Sequence, residues 1–321
     1  MKTFEVLEPG PFTTVQDSGR YGYQPFGIPV SGALDKFSYV AANVLAGNLD
    51  TAAALEITFI GPRLKALSDA LLAVTGATVP LFVNDRLQPM WTSFRVAAGD
   101  VVSIRAASRG VRAYIAVAGG FVVPKVMGSY STYTGGKIGG LEGRTLAKGD
   151  RLSSGPAKAL NRIVSLPEDF RPQLRTEIMV RALPGPQDDY FDSGLDVFFS
   201  SEFTVTSKAD RMGYQLAGPT IELKESVPRS IISEPSLSGA IQIPPDGKPI
   251  ILLVEQTVGG YAKIATLITP DLDVAAQARP GDKVRFARVD LAEAYRLHYD
   301  YRSRLSHLKE VIESGHAVHP F

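Results

Sequence analysis

The sequence predicts a mainly β protein made of two β domains related by an internal repeat, with one helix in the first half and a second at the C-terminus. Three observations carry this. From Ala53 onward, short apolar runs alternate with turn signals at a spacing too short for βαβ units. Five short motifs recur in the same order in the two halves. The 321 residues are enough for two domains with a core each.

Residues 2–8 read as a strand stopped by Pro9-Gly10-Pro11. The segment Thr13–Tyr23 is loop-like, and within it Asp17 and Arg20 either brace a turn or line a pocket. Over 33–46, Leu34, Phe37, Val40, Ala41, Val44 and Leu45 share one helical face. Ser31 or Gly32 is the expected cap, Gly47 the stop, and Asp35 a first-turn residue suited to the helix dipole. Strands are then expected at Leu55–Ile60, Ala70–Thr75, Pro80–Asn84, Ser93–Val96, Val101–Arg105 and Val111–Ala118, with hairpin turns at Asn84-Asp85 and Gly99-Asp100. Residues 124–149 form a long loop rich in glycine and hydroxyl groups. It is not a P-loop, because Ser131 and Ile138 stand where that motif needs Gly and Ser/Thr. Its amides and hydroxyls, Ser129, Ser131 and Thr132 among them, either form an anion nest or belong to a mobile loop.

The domains are expected at 1–155 and 177–289, joined by a Pro-containing linker at 156–176 and followed by a C-terminal helix and tail at 290–321. In the second half, strands are expected at Ile178–Leu183, Phe203–Ser207, Ser230–Glu234, Ala240–Ile243, Ile250–Val254, Lys263–Ile268 and Lys283–Arg288. The last helix runs Leu291–Ser314, capped by Asp290 with Glu293 and closed by Gly315, with a frayed tail at 316–321. Leu291, Tyr295, His298, Leu305, Leu308 and Ile312 recur on one face, so His298 reads as packing.

The matched motifs include Pro9-Gly10-Pro11 with Pro184-Gly185-Pro186, Gly149-Asp150 with Gly281-Asp282, and Gly119-Gly120-Phe121 with Gly259-Gly260-Tyr261. In the second copy the glycine pair follows Gln256, Thr257 and Val258 and precedes Lys263, whereas the first copy has Ala116, Val117 and Ala118 in place of those three. The shared part reads as the fold's way of turning a core strand. The polar set reads either as the edge of a bulge or as a site.

A net charge of +1 favours neither nucleic acid nor an anionic membrane. No apolar run approaches the ~20 residues of a membrane span, and the first residues lack a secretory pattern, so a cytoplasmic location is expected. The absence of cysteine excludes disulfides, thiolate catalysis and Cys-based zinc sites. Only four histidines occur, all from residue 298 onward, so no metal site is expected.

Gln16-Asp17-Ser18-Gly19-Arg20, Gly27–Asp35, Leu55–Thr58, Gly128-Ser129 with Ser131-Thr132, Pro184-Gly185-Pro186, Asp210-Arg211-Met212-Gly213, Gly239–Pro244 and Gln256-Thr257 with Gly259-Gly260-Tyr261 resemble the KipA family across nearly the whole chain. That family is also called allophanate hydrolase subunit 2 or the biotin-dependent carboxyltransferase family. The resemblance implies two cyclophilin-like β-barrel domains. It also implies the role of the C subunit in an ATP-dependent 5-oxoprolinase, with a KipI-like (PxpB-like) and a LamB/YcsF-like (PxpA-like) partner and ATP bound here or on a partner. One alternative is a carboxyltransferase for urea or a similar small amide, with biotin arriving on another protein. A second is a non-enzymatic regulator that binds a KipI-like kinase inhibitor. Ala262 and Ser238 stand where many relatives have Pro.

Handling a small amide or lactam needs donors aimed at a carbonyl oxygen. The candidates for chemistry are Gln256, Thr257, Tyr261 and Lys263, with Asp210, Arg211 and Glu234 as acid/base or clamp groups. Strict alternation would put Gln256 and Val258 on one face with Thr257 opposite. An ion pair between Asp210 and Arg211 is the structural alternative for those two residues. Asp17, Arg20, Asp35, Ser129, Ser131, Thr132, Gln242, Gly259 and Gly260 are the substrate-binding candidates, and for Gln242 the alternative is a hydrogen-bonded strand amide.

Overall fold

The computed structural model describes residues 2–157 and 163–314. The expected stop at Gly315, the tail 316–321 and linker positions 158–162 lie outside the described residues. The chain divides into two compact units. One comprises Met1–Arg20, Ser31–Leu174 and Ser303–Phe321, and the other Tyr21–Val30 and Arg175–Arg302.

The first unit has a seven-stranded sheet in the order Phe121–Val122, Arg151–Ser154, Lys2–Glu8, Arg63–Ala66, Val101–Ile104, Leu81–Val83 and Arg86–Gln88. A five-stranded sheet runs Thr13–Gln16, Ala54–Thr58, Arg109–Val117, Ala70–Thr78 and Ser93–Val96. Alternate residues of both sheets, including Phe4, Val6, Leu64 and Val102 from one and Leu55, Ile57, Val74 and Ile115 from the other, form a single apolar core. Strand Arg109–Val117 is buried on both faces after its first residue, which explains its unbroken apolar text. Its second face meets helix α1 (Lys36–Leu45), where Tyr114 packs edge-on to Tyr39.

The cap of α1 is Asp35, not Ser31 or Gly32. Its carboxylate accepts from the Ser38 N–H at 2.9 Å and the Ser38 hydroxyl at 2.6 Å. A cap holds an otherwise unpaired amide of the first turn. Asp35→Ala is therefore expected to lower stability by about 1–2 kcal/mol, read as a drop in the urea midpoint at constant slope.

Asn84 and Asp85 both adopt left-handed φ, +48° and +62°, and join Leu81–Val83 to Arg86–Gln88 as a two-residue hairpin. Gly99-Asp100 does not make a hairpin: Ser93–Val96 and Val101–Ile104 lie in different sheets, so this turn carries the chain from one to the other. The same turn occurs three times, at Ala97–Asp100, Ala147–Asp150 and Arg279–Asp282. Its glycine takes φ of +98°, +89° and +96°, a conformation that a side chain would strain. Each aspartate accepts the N–H of the turn's first residue at 2.7, 2.7 and 2.8 Å. Each glycine N–H reaches a neighbouring strand at 2.8 Å, on Ala66, Val6 and Val205 respectively. The last two are the Gly-Asp pair matched between the halves.

In the second unit, seven strands close into a barrel: Glu177–Pro184, Ala262–Leu267, Ala240–Ile243, Ile250–Leu252, Gly213–Ala217, Glu202–Ala209 and Lys283–Arg288. The first and last close it through a parallel pairing. A two-stranded ribbon, Glu234–Pro235 with Val258–Gly259, stands apart from it. Three expectations are corrected here. Ser230–Glu234 is strand only from Glu234, strand Ile250–Leu252 ends two residues before Val254, and Gly213–Ala217 is a strand that the sequence did not announce. Two short helices also join the β elements, α2 (Ser193–Ser200) and α3 (Asp271–Ala276).

Helix α4 spans Leu291–Ser314 as expected, and Asp290 accepts the Glu293 N–H at 2.8 Å. The Glu293 carboxylate turns to Arg296 instead of completing the box. Leu308 and Ile312 are buried, but Leu291 and Tyr295 are exposed. Helical spacing of apolar residues creates a face without guaranteeing that something covers all of it.

Candidate functional site

A cleft of about 960 Å³ lies on the barrel of the second unit. That is at the upper end of the roughly 300–1,000 Å³ typical of small-molecule sites. Alternation along the strands builds it. Ile241, Ile243, Tyr214, Leu216 and Ile251 are buried, with exposures of 0–1%, and form the barrel interior. Their neighbours Gln242, Gly213, Gln215, Ile250 and Leu252 therefore point to the other side of the wall, and all five line the cleft. Gln215, Ile250 and Gln242 are paired neighbours across three strands. Lys208, Asp210, Met212, Ser230, Ile231, Ser233, Gln256, Val258, Gly259, Gly260 and Tyr261 complete the rim.

A bulge adds a third polar group beside that row. Ile241 pairs with Ala265, but Gln242 pairs with Lys263, so one residue is skipped and the buried Lys263 comes opposite Gln242 on the outer side of the barrel wall, next to the cleft lining but not part of it. Its ammonium is bonded to Glu234 at 2.5 Å. The hydrogen bond to Lys263 holds the Glu234 carboxyl below the usual glutamate range, against a small desolvation effect. Gln187 completes this corner: its side-chain oxygen accepts the Lys263 N–H at 3.0 Å and its amide reaches Glu234 at 3.4 Å.

Gln242 is 4% exposed, and its Nε2 has no hydrogen-bond partner. The strand-amide alternative is thus met only in part, because the donor end is unspent. Gly259 lies directly against it: a Cβ built there would sit 2.0 Å from Gln242 Nε2. At Gly260 the nearest atoms would be 3.3 Å and 3.4 Å away. The two glycine pairs of the repeat differ in kind. Gly119 and Gly120 take φ of +87° and +68°, whereas neither Gly259 nor Gly260 is left-handed. The first pair turns the chain; the second makes room.

The segment between strand and glycines is anchored from below. Arg211 does not pair with Asp210. It binds Glu255 at 2.6 Å, and both groups are buried. Asp210 is exposed and caps its own turn, accepting from Met212 N–H at 2.7 Å and Gly213 N–H at 3.2 Å. Alternation does not govern Gln256 and Thr257, which lie outside any strand. The Gln256 amide donates to the Val258 carbonyl, and the Thr257 carbonyl accepts Ser236 N–H at 3.0 Å.

A family model for the carboxyltransferase domain, subdomain A and B, matches residues 26–288. The chain belongs to that family. It is 39% identical over 300 residues to the C subunit of 5-oxoprolinase from Escherichia coli, covering 92% of this chain and 94% of the relative. It is 35% identical over 312 residues to the C subunit of 5-oxoprolinase from Haemophilus influenzae, covering 96% and 98%. The crystal structure of the K. lactis urea amidolyase superposes with a TM-score of 0.90 at 31% identity over 96% of this chain, which spans 20% of that longer protein.

In this carboxyltransferase-family chain the remaining candidates form a separate network in the first unit, and the fold occupies them. The Asp17 carboxylate accepts from Gly19 N–H, the Ser129 hydroxyl, Tyr130 N–H and the Ser131 hydroxyl at 2.9, 2.7, 2.7 and 2.5 Å. Arg20, fully buried, donates to the carbonyls of Val126 and Ser131 at 3.1 and 2.7 Å. The Thr132 hydroxyl donates to Val15 at 2.9 Å. These bonds pin the long loop to the start of the chain. They also leave the Ser129, Ser131 and Thr132 hydroxyls committed within the fold, so these three are not free to donate to an ATP phosphate. Among the described residues no group of three His, Asp or Glu is placed to hold a metal, and no helix is long and apolar enough to cross a membrane.

Sequence reasoning misses Gln187, Gln215, Ser230 and Ser233 as site residues, and reaches Glu255 only as one of the polar set before the glycines. Gln215 sits on the unannounced strand. Gln187 directly follows the repeated Pro184-Gly185-Pro186, which is the one available signal for it.

Proposed function

We propose that this chain is the C subunit of an ATP-dependent 5-oxoprolinase, a cytoplasmic enzyme that opens the lactam of 5-oxoproline to give glutamate. Two further subunits, one KipI-like and one LamB/YcsF-like, make up the rest of it and carry the ATP chemistry. The similarity to two 5-oxoprolinase C subunits over nearly the full length of every chain carries this reading. The cleft supports it chemically. Its floor offers an unspent amide donor, Gln242 Nε2, to a carbonyl oxygen, and Tyr261 and Gln256 stand at the rim. A donor held in a water-poor wall stabilises developing negative charge on such an oxygen.

A second reading, carboxyl transfer between a biotin carrier and urea, draws on the fold shared with urea amidolyase. The ureido ring of biotin, like 5-oxoproline, is a five-membered ring with a carbonyl beside an N–H, so Gln242 suits either. Biotin would supply the activated carboxyl group.

Reconstitution decides between them. The chain alone is expected to be inactive. Mixed with both partner subunits, it is expected to couple ATP hydrolysis to glutamate formation from 5-oxoproline. Glutamate formed at the same rate without this chain would sink the proposal. Carboxylation of urea in a parallel arm with biotin carboxylase and biotin carrier, and no turnover of 5-oxoproline, would install the second reading.

A further inference from the structure

Lys263 is 5% exposed. An ammonium in that position needs a compensating charge. Among the described residues, Glu234 is the one carboxylate within ion-pair distance, at 2.5 Å. That carboxylate is not part of the barrel wall. It belongs to the short ribbon Glu234–Pro235 with Val258–Gly259, and its side chain is 43% exposed. The buried member of the pair is thus fixed in a strand, and the accessible member sits on a small, separate element.

Beside Lys263, opposite it in register, is Gln242 with its unpartnered Nε2. A buried donor without an acceptor costs about 1–3 kcal/mol and calls for an explanation in function. Directly paired residues on one face of a sheet stand ~5 Å apart. The wall therefore presents a cation and a neutral N–H donor next to each other. Their complement is a small ring that carries a carboxylate near a carbonyl.

We propose that Lys263 is the receptor for the carboxylate of 5-oxoproline and that Glu234 holds its place in the free protein. The substrate carboxylate displaces that of Glu234 while the lactam oxygen accepts from Gln242 Nε2. This rests on the 5-oxoprolinase reading and adds the basis of its selectivity. Exchanging one carboxylate for another keeps the ammonium paired throughout, so no bare buried charge is formed. The exchange also reaches the other half of the recognition pair. Glu234 pairs in register with Gly259, the residue that lies against the Gln242 amide. Neutral amides such as urea have no carboxylate to exchange and leave Glu234 where it is.

The test uses the reconstituted three-subunit enzyme, with 5-oxoproline as substrate and the neutral lactam 2-pyrrolidinone as competitive inhibitor. Lys263→Met is expected to raise KM for 5-oxoproline by about 30-fold, the loss of a charge-assisted contact, while the 2-pyrrolidinone inhibition constant moves by less than about 3-fold. Lys263→Arg, which keeps the cation, is expected to recover part of the loss. Glu234→Gln removes the internal competitor and is expected to lower KM about 3-fold, while the loss of the Lys263 counter-charge in the free protein is read separately as a drop in the urea midpoint. It decides the matter even if Lys263→Met fails to fold. A Lys263→Met effect of equal size on the acidic and neutral lactams overturns the assignment, and so does a wild-type KM in Glu234→Gln. A wild-type complex that leaves 5-oxoproline untouched removes the 5-oxoprolinase reading instead. That result is separate, because the other outcomes are scored against a wild type that turns over.

Discussion

Gly259→Ala is expected to cut kcat/KM of the reconstituted enzyme for 5-oxoproline by about 100-fold, the size of effect seen when one donor to a reacting oxygen is lost. The reason is steric. The added methyl would lie 2.0 Å from Gln242 Nε2, so the amide must leave its place. Gln242→Ala is expected to do equal damage, and the double variant no more than either alone, because both remove the same donor. Gly260→Ala provides the comparison. Its methyl meets Ser233 Oγ and the Ile231 carbonyl at 3.3 and 3.4 Å, which a small shift of the rim accommodates, so a much smaller loss is expected. Equal losses at 259 and 260 would mean that the glycines serve the backbone and not the amide.

Arg211→Ala is expected to lower stability by about 3–5 kcal/mol, the cost of stranding one member of a buried ion pair. Arg211 and Glu255 are 3% and 9% exposed, so the carboxylate left behind has little access to water. The variant should also lose activity, since Glu255 opens the segment that carries Gln256 to the rim. Replacing both residues together, Arg211→Met with Glu255→Leu, is expected to restore most of the stability, because a well-packed apolar pair of similar volume is often neutral. Urea unfolding of the two variants beside the wild type checks this. A single-variant loss below about 1 kcal/mol would place the pair with ordinary surface ion pairs.

Elements whose cause is local were legible in the sequence. Helix α4 is legible because an apolar period, a capping aspartate and a following glycine all sit within one stretch of chain, and Ala240–Ile243 and Lys283–Arg288 because a turn glycine, Gly239 or Gly281, stands just before each. What escaped depends on residues far apart in the chain. The partner of Arg211 is 44 positions away and not its neighbour Asp210. Asp17 is satisfied by a loop more than 110 residues later. Strand Gly213–Ala217 alternates but begins with glycine and carries one outward polar side chain, Gln215, and it is the outward Gly213 and Gln215 that line the cleft. The glycine pairs show the same limit. Gly119-Gly120 and Gly259-Gly260 read alike as text, and only the position of Gln242 separates a turn from a clearance. The cleft itself was half visible, as the polar text at 256–263. Its floor was not, because three strands contribute it at every second residue.

The membership of the two units limits how the polypeptide can be divided. Tyr21–Val30 packs with the second unit although it precedes most of the first, and the described residues from Ser303 to Ser314 pack with the first although they follow the second. Gln24, in the former segment, donates to the carbonyl of Ser236 at 3.3 Å, beside the ribbon that holds Glu234. Arg304, in the latter, donates to the carbonyl of Phe170 at 2.5 Å and lies over the Phe37 ring. A cut anywhere in 156–176 would therefore not release two whole modules. Each fragment would keep a strip that belongs to the other and lack one of its own. Despite the repeat in its text, the chain cannot be separated into its two units by a single cut.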